Sequence, residues 1–158
     1  MNTVYNALAD IVGEDYASAQ IEELVTYSKD LGTSKPKLPD YVVVPANTEE
    51  LQQIIRFANR EKVPIVPLGG GMSLAGIAQP LRGGILIDMK RMDRIIEVNE
   101  KSRYTVVEAG TSHGKLSAYL KKHHPDLMHS MPDAPPAATV GGNIAIHGQI
   151  GRASCRER

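Results

Sequence analysis

The 158-residue chain has no tryptophan, one phenylalanine and one cysteine, and its 18 basic side chains are balanced by 18 acidic ones. Each shortage excludes something. Zero formal charge leaves no basic footprint for nucleic acid or for an anionic membrane. Aromatic residues at 4% leave no platform on which single-stranded bases could stack. No apolar run approaches the ~20 residues that a helical membrane span needs. The first residues also lack the basic and apolar regions of a signal peptide. The chain therefore reads as cytoplasmic, with no nucleic-acid partner and no transmembrane segment.

The single cysteine, Cys155, lies in a terminal stretch of doubtful origin. Residues 150–158, IGRASCRER, carry neither element periodicity nor turn signals. They can be encoded by ATC GGA AGA GCG TCG TGT AGG GAA AGA, which looks like a sequencing-adapter read in one frame. Such segments are kept out of fold reasoning. The expectation is a natural sequence interrupted near Gln149 and followed by a non-native tail. Three Arg and one Glu leave with that tail, so 18 and 18 become 15 basic and 17 acidic residues. Neither a redox compartment nor a catalytic thiol can be argued from Cys155.

What is present divides into patterns. From Asn2 to about Leu31, Tyr5, Leu8, Ile11 and Val12, then Ile21, Leu24 and Val25, recur at helical intervals. This predicts a helical N-terminal extension, residues 1–36, as a pair of helices joined to the main domain by the Lys/Pro-rich stretch 33–39. The main domain, residues 37–149, opens with a β-branched run at 41–45. Asn47 and Glu50 have the spacing of a capping box before the apolar stripe Leu51, Ile54, Ile55 and Ala58. Short strands are predicted at 63–66, 84–89, 94–98 and 104–108. A helix follows, capped by Thr111 or Ser112 and striped by Leu116, Tyr119 and Leu120. Several strands without intervening helices indicate a mixed α+β class rather than a regular parallel array.

Two glycine segments could carry chemistry. At 68–76, LGGGMSLAG follows a strand directly. Glycines let the backbone take positive φ and come close to a ligand, and successive N–H groups can converge on an anion. A diphosphate requires such donors and little bulk. A plain hairpin or flexible loop would produce the same letters. The segment is not a Walker loop, and it opens no helical stripe as a Gly-x-Gly-x-x-Gly fingerprint would. At 138–145, ATVGGNIA again pairs glycines with a hydroxyl residue, after the rigid PDAPP of 132–136. Two such loops suggest an extended ligand touched by backbone from both sides, the alternative being two unrelated turns.

The ordered segments PDYVVVP (39–45), VPIVPLGGGMS (63–73), GILIDMKRMDRI (84–95), VEAG (107–110) and TVGGNIA (139–145) resemble the FAD-binding domain of the vanillyl-alcohol oxidase/p-cresol methylhydroxylase family. Within that family the segments most resemble the branch of the flavin dehydrogenases of glycolate and D-lactate. The resemblance covers about residues 37–149. It implies a PCMH-type fold of two α+β subdomains, the second incomplete, with FAD between them and N-terminal helices before it. It assigns diphosphate and ribityl contacts to Pro67, Gly69, Gly70, Gly71, Met72 and Ser73. It lays Pro132, Asp133, Ala138, Thr139, Gly141, Gly142, Asn143 and Ala145 along the flavin and its linker.

Two departures bear on chemistry. Met72 stands where many members carry Thr, so backbone replaces one hydroxyl donor. No His lies in residues 68–74, so covalent flavin attachment through that loop is absent and FAD is non-covalent there. The resemblance implies an oxidoreductase that removes hydride from an alcohol carbon, with a 2-hydroxy acid such as glycolate or D-lactate leading. A small-molecule substrate and an electron-acceptor partner go with that activity. The resemblance implies a catalytic base beyond residue 149, so this fragment alone is expected to be inactive. The alternatives are a phenolic alcohol oxidase, a UDP-N-acetylenolpyruvoylglucosamine reductase-like flavoenzyme (which LGGGMSL also resembles) and a non-catalytic nucleotide-binding subunit. His123 and His124 read as a solvated pair near a helix end rather than a metal site. His129 and His147 flank the second loop and could approach the flavin or serve as ordinary loop residues. Asp88, Asp93 and Glu108 have no partner pattern in the sequence.

Overall fold

The structure, a computed structural model, describes residues 3–33, 35–130 and 134–146. The chain forms two compact units, Met1–Arg91 and Met92–Arg158.

The first unit is built on a four-stranded sheet. In chain order its elements are α1 (Thr3–Val12), a 3-10 turn (Glu14–Tyr16), β1 (Ala17–Ser18), α2 (Ile21–Thr26), β2 (Tyr41–Val43), α3 (Thr48–Glu61), β3 (Ile65–Leu68), β4 (Ile85–Asp88) and a second 3-10 turn (Met89–Arg91). Strand order is β1-β2-β4-β3, with β2 and β3 parallel to β4 and β1 antiparallel to β2. Strand β4 is buried throughout, as a near-continuous apolar run flanked by parallel neighbours should be. Its side chains alternate between two cores. Ile85 and Ile87 pack with Leu8, Val12, Ile54, Phe57 and Ala58 from α1 and α3. Leu86 packs with Leu24 and Val42, and Tyr27 and Leu68 close that smaller cluster. Strand β3 lies at the sheet edge, where Pro67 removes no ladder hydrogen bond from a central strand.

Local chemistry explains the boundaries. Asn47 Oδ1 accepts the Glu50 N–H at 2.9 Å, and Glu50 Oε2 reaches back to the Ala46 N–H at 2.8 Å. The capping box is thus formed one residue wider than the simple motif. Lys62 at φ 58° ends α3, and the Val63 N–H still bonds the Ala58 carbonyl. That helix-terminal bond starts β3 at Ile65 rather than at the predicted residue 63. Gly84, at φ 83°, has no room for a Cβ because the Pro64 carbonyl oxygen occupies the space.

The predicted pair of N-terminal helices is present as α1 and α2, with a short strand between them that the periodicity does not show. Gly13, at φ 89°, stops α1, and Ala17 and Ser18 then pair with Val43 and Val42 as a sheet strand. Leu8 is fully buried in the core that contains Ile54. The apolar stripe of α1 therefore marks a core-facing helix. Of the second stripe only Leu24 is buried, while Ile21 and Val25 are exposed.

The second unit contains the antiparallel pair β5 (Ile95–Asn99) and β6 (Tyr104–Val107), then α4 (His113–His123) and α5 (Val140–Ala145). Polar Glu97 inside β5 accepts the Tyr104 hydroxyl at 2.6 Å, which accounts for its place in a strand. Ser112 caps α4 by accepting the Lys115 N–H at 3.1 Å. The second glycine loop is also corrected: residues 140–145 form helix α5, capped by Thr139. Glycine lowers helix propensity, but Gly141 lets α5 lie directly against Ala109. Among the described residues no helix is long and apolar enough to cross a membrane.

Candidate cofactor site

The first glycine segment leaves the sheet at the end of β3, where Leu68 is in register with Asp88 of β4. Gly71 takes φ 65°, a conformation costly for any residue with a Cβ. Residues 69–73 are half-buried, neither sealed in the core nor fully solvated. The N–H groups of Gly70, Gly71 and Met72 make no hydrogen bond among the described residues. Ser73 accepts the Ala75 N–H at 3.1 Å through Oγ and the Leu31 N–H at 3.1 Å through its carbonyl. Its hydroxyl proton remains available to donate. Consecutive unengaged donors on a loop with a left-handed glycine have the makings of an anion nest. Pro67 has no N–H to donate.

Beside this loop lies a polar cluster. The buried Asp88 accepts the Tyr27 hydroxyl at 3.0 Å and the Lys90 N–H at 3.0 Å, and Lys90 Nζ stands 3.3 Å from the carboxylate. Lys90 Nζ also donates to Tyr27 Oη at 3.0 Å. Burial raises the pKa of the Tyr27 hydroxyl above its ordinary value, while the hydrogen bond from Lys90 acts against it. For Lys90 burial opposes the ammonium, but Tyr27 and Asp88 together outweigh it and raise its pKa. Asp88 thus has the partners that sequence reasoning missed. Lys90 is a near neighbour, but nothing in the letters points 61 residues back to Tyr27.

In the second unit the anticipated residues divide. Ala138 and Thr139 are buried, and the Ala138 carbonyl accepts the His113 N–H at 3.0 Å. The N–H groups of Gly141 and Gly142 are taken by the Ala109 carbonyl at 3.0 Å and Thr139 Oγ1 at 3.2 Å. These glycines serve packing and capping, so their amides are not available as phosphate donors. Asn143 is buried, and its Nδ2 has no partner among the described residues. A buried amide without a partner is costly, and it fits a polar ligand edge. Ala145 is exposed. Pro132, Asp133 and His147 lie outside the described residues.

His113 is fully buried and shares a 2.8 Å ring-nitrogen contact with His129, the two rings stacking at 5.1 Å. Its Nε2 also has no partner among the described residues. Burial depresses both imidazoles, and the charge of His129 depresses His113 further. Glu108 accepts from Arg94 N at 2.8 Å, Nε at 3.0 Å and Nη2 at 2.6 Å. Asp93 pairs with Lys115 at 2.6 Å. His124 contacts Glu100 at 2.5 Å.

In the first unit the unengaged N–H groups of residues 70–72 are donors of the kind that the diphosphate of FAD requires, and in the second unit Asn143 Nδ2 is a buried donor with no partner among the described residues. Comparison with known proteins agrees. The FAD binding domain family matches residues 39–156. Glycolate oxidase subunit GlcD of Bacillus subtilis is 32% identical over 135 residues, 83% of this chain and 27% of that protein. The mitochondrial D-lactate dehydrogenase [cytochrome] of Arabidopsis thaliana is 36% identical over 108 residues, 68% of this chain and 18% of that protein. A crystal structure of p-cresol methylhydroxylase with substrate bound superposes with a TM-score of 0.79 at 25% identity, covering 90% of this chain and 28% of that one. The chain spans less than a third of the length of these relatives.

Proposed function

Because the chain belongs to the FAD-binding domain family of FAD-dependent oxidoreductases, with the PCMH-type fold and FAD as cofactor, we propose that it is the cofactor-holding part of an enzyme that oxidises an alcohol carbon. The favoured substrate is a 2-hydroxy acid such as glycolate or D-lactate. The observation that carries this reading is the run of unengaged N–H groups at Gly70, Gly71 and Met72, within a chain similar to a glycolate oxidase subunit and a D-lactate dehydrogenase.

FAD supplies the two-electron acceptor for hydride. The residues of this chain bind and orient. Gly70, Gly71 and Met72 would hold the diphosphate through backbone N–H groups, with the Ser73 hydroxyl beside them. Asn143 would offer its side-chain amide to the flavin or its linker. The chain covers a minor part of its relatives' length, so the substrate pocket, the catalytic base and the electron-acceptor surface are assigned to the remainder of the protein. The 158-residue chain alone is expected to be inactive.

The test is anaerobic mixing of the full-length protein with glycolate, D-lactate and p-cresol, followed at the flavin absorption bands. Bleaching by a 2-hydroxy acid is the expected result. Bleaching by p-cresol alone would move the substrate to the phenolic class, the reading that the similarity to p-cresol methylhydroxylase favours. Reduction by NADPH alone would move the chemistry to the reductase alternative.

A further inference from the structure

The glycine loop has a free middle and two anchored ends, and one short segment reaches both anchors. At the β3 end, Leu68 is in register with Asp88, and Asp88 accepts the Tyr27 hydroxyl at 3.0 Å. Tyr27 and Leu68 also share the apolar cluster around Leu86. At the far end, the Leu31 N–H donates to the Ser73 carbonyl at 3.1 Å. The buried Asp30 carboxylate accepts the Gly32 N–H on Oδ1 at 2.9 Å and the Gly76 N–H on Oδ2 at 2.8 Å. Gly32 admits no Cβ, because the Leu74 carbonyl lies against it. Residues 27–32 therefore span the loop from its origin to its exit.

We propose that residues 27–32 are a brace that sets the geometry of the cofactor loop, with Asp30 as its positioning residue. This rests on the reading of residues 69–73 as the diphosphate cradle. The brace lies ahead of the family match, which begins at residue 39. Asp30 does not reach the ligand in this scheme. A nest works only while its N–H groups converge, and a loop rich in glycine has many other conformations to occupy. Two charge-assisted bonds from one buried carboxylate hold the exit of the loop against the turn at Gly32 and narrow that choice before FAD arrives.

The experiment uses the full-length protein stripped of FAD and titrated with FAD, read by quenching of flavin fluorescence. Asp30→Asn keeps the side-chain shape but puts an NH2 group against one of the two N–H donors. It is expected to raise the FAD Kd about tenfold or more, in the range that loss of a charged hydrogen bond produces. Gly32→Ala breaks the same brace from the other side and should give the same direction, so the test survives if one variant does not fold. Hydrogen exchange separates positioning from general stability. With FAD present, protection of the amides of residues 70–72 should fall in both variants while β4 stays protected. Gly71→Val tests the cradle itself. If Gly71→Val weakens FAD binding while both brace variants stay within twofold of wild type, the brace is wrong and the cradle stands. If Gly71→Val leaves FAD binding intact, the cradle reading fails and the brace fails with it.

Discussion

A Cβ built on Gly141 would stand 2.6 Å from the Cβ of Ala109 and 2.6 Å from its carbonyl oxygen, so α5 meets the chain beyond β6 with no space for a side chain. The Gly141 N–H bonds that same carbonyl at 3.0 Å. Gly141 is therefore needed for packing whether or not a cofactor is bound. Gly141→Ala is expected to destabilise the FAD-free protein by about 1–3 kcal/mol through overpacking. Urea unfolding of apoprotein measures it. Unchanged apoprotein stability together with lost FAD affinity would instead make Gly141 a cofactor-approach residue.

Asn143, one turn into the same helix, should behave in the opposite way. Its buried Nδ2 lacks a partner among the described residues, so in the FAD-free protein it carries a desolvation cost of about 1–3 kcal/mol. Asn143→Leu should leave apoprotein stability equal or higher and still weaken FAD binding. Thermal melts with and without FAD provide the comparison. A variant that loses stability and keeps its FAD affinity would assign Asn143 a purely internal role.

The stacked pair His113 and His129 ties stability to pH. Burial lowers both pKa values. The unfolded chain takes up protons near the ordinary histidine value of about 6.5, and the folded chain does so only at lower pH. Between those points the unfolded state binds more protons, so stability falls as pH falls below about 6.5. It levels off once pH drops beneath the folded values. Replacing both rings, His113→Phe with His129→Phe, should flatten the unfolding midpoint between pH 7 and 5. A midpoint that still falls with the wild-type slope would mean that other groups carry the dependence.

Helix α3 shows what local signals can specify: Asn47 and Glu50 cap it as their spacing predicts, and Ile54 and Ala58 of the predicted stripe are buried, although Ile55 is exposed and Phe57 is buried instead. The strands were legible for the same reason, each being a β-branched run bounded by Gly, Pro or charge. β1 was not, because two residues carry no periodicity and its partner Val43 lies far along the chain. Helix α5 read as a loop because two glycines suppress helix propensity. Thr139 capping and the fit against Ala109 override that, and both depend on tertiary structure. The loop at 69–73 was legible through its glycines, of which Gly71 takes φ 65°. The partners of Asp88 and the clamp at Asp30 were not, since the bonds that define them join residues 61 and 46 positions apart.

Glu108 provides a test at acid pH. Its carboxylate is buried and receives three hydrogen bonds from Arg94, through the backbone N–H, Nε and Nη2. The Arg94 side-chain hydrogen bonds hold its pKa below the ordinary glutamate value, with burial pulling the other way and losing. For a depressed carboxylate, the stabilisation is complete above the unfolded pKa of about 4.3 and disappears as pH falls through the folded value. Glu108→Gln keeps the shape and cannot ionise. It should therefore be less stable than wild type at pH 7, and the difference should shrink steadily below about pH 4. Urea midpoints for both proteins at pH 7, 4 and 3 supply the comparison. A difference independent of pH would mean that Glu108 acts through shape and neutral hydrogen bonding alone. A difference that grows in acid would reverse the sign and show that burial, rather than Arg94, governs this carboxyl group.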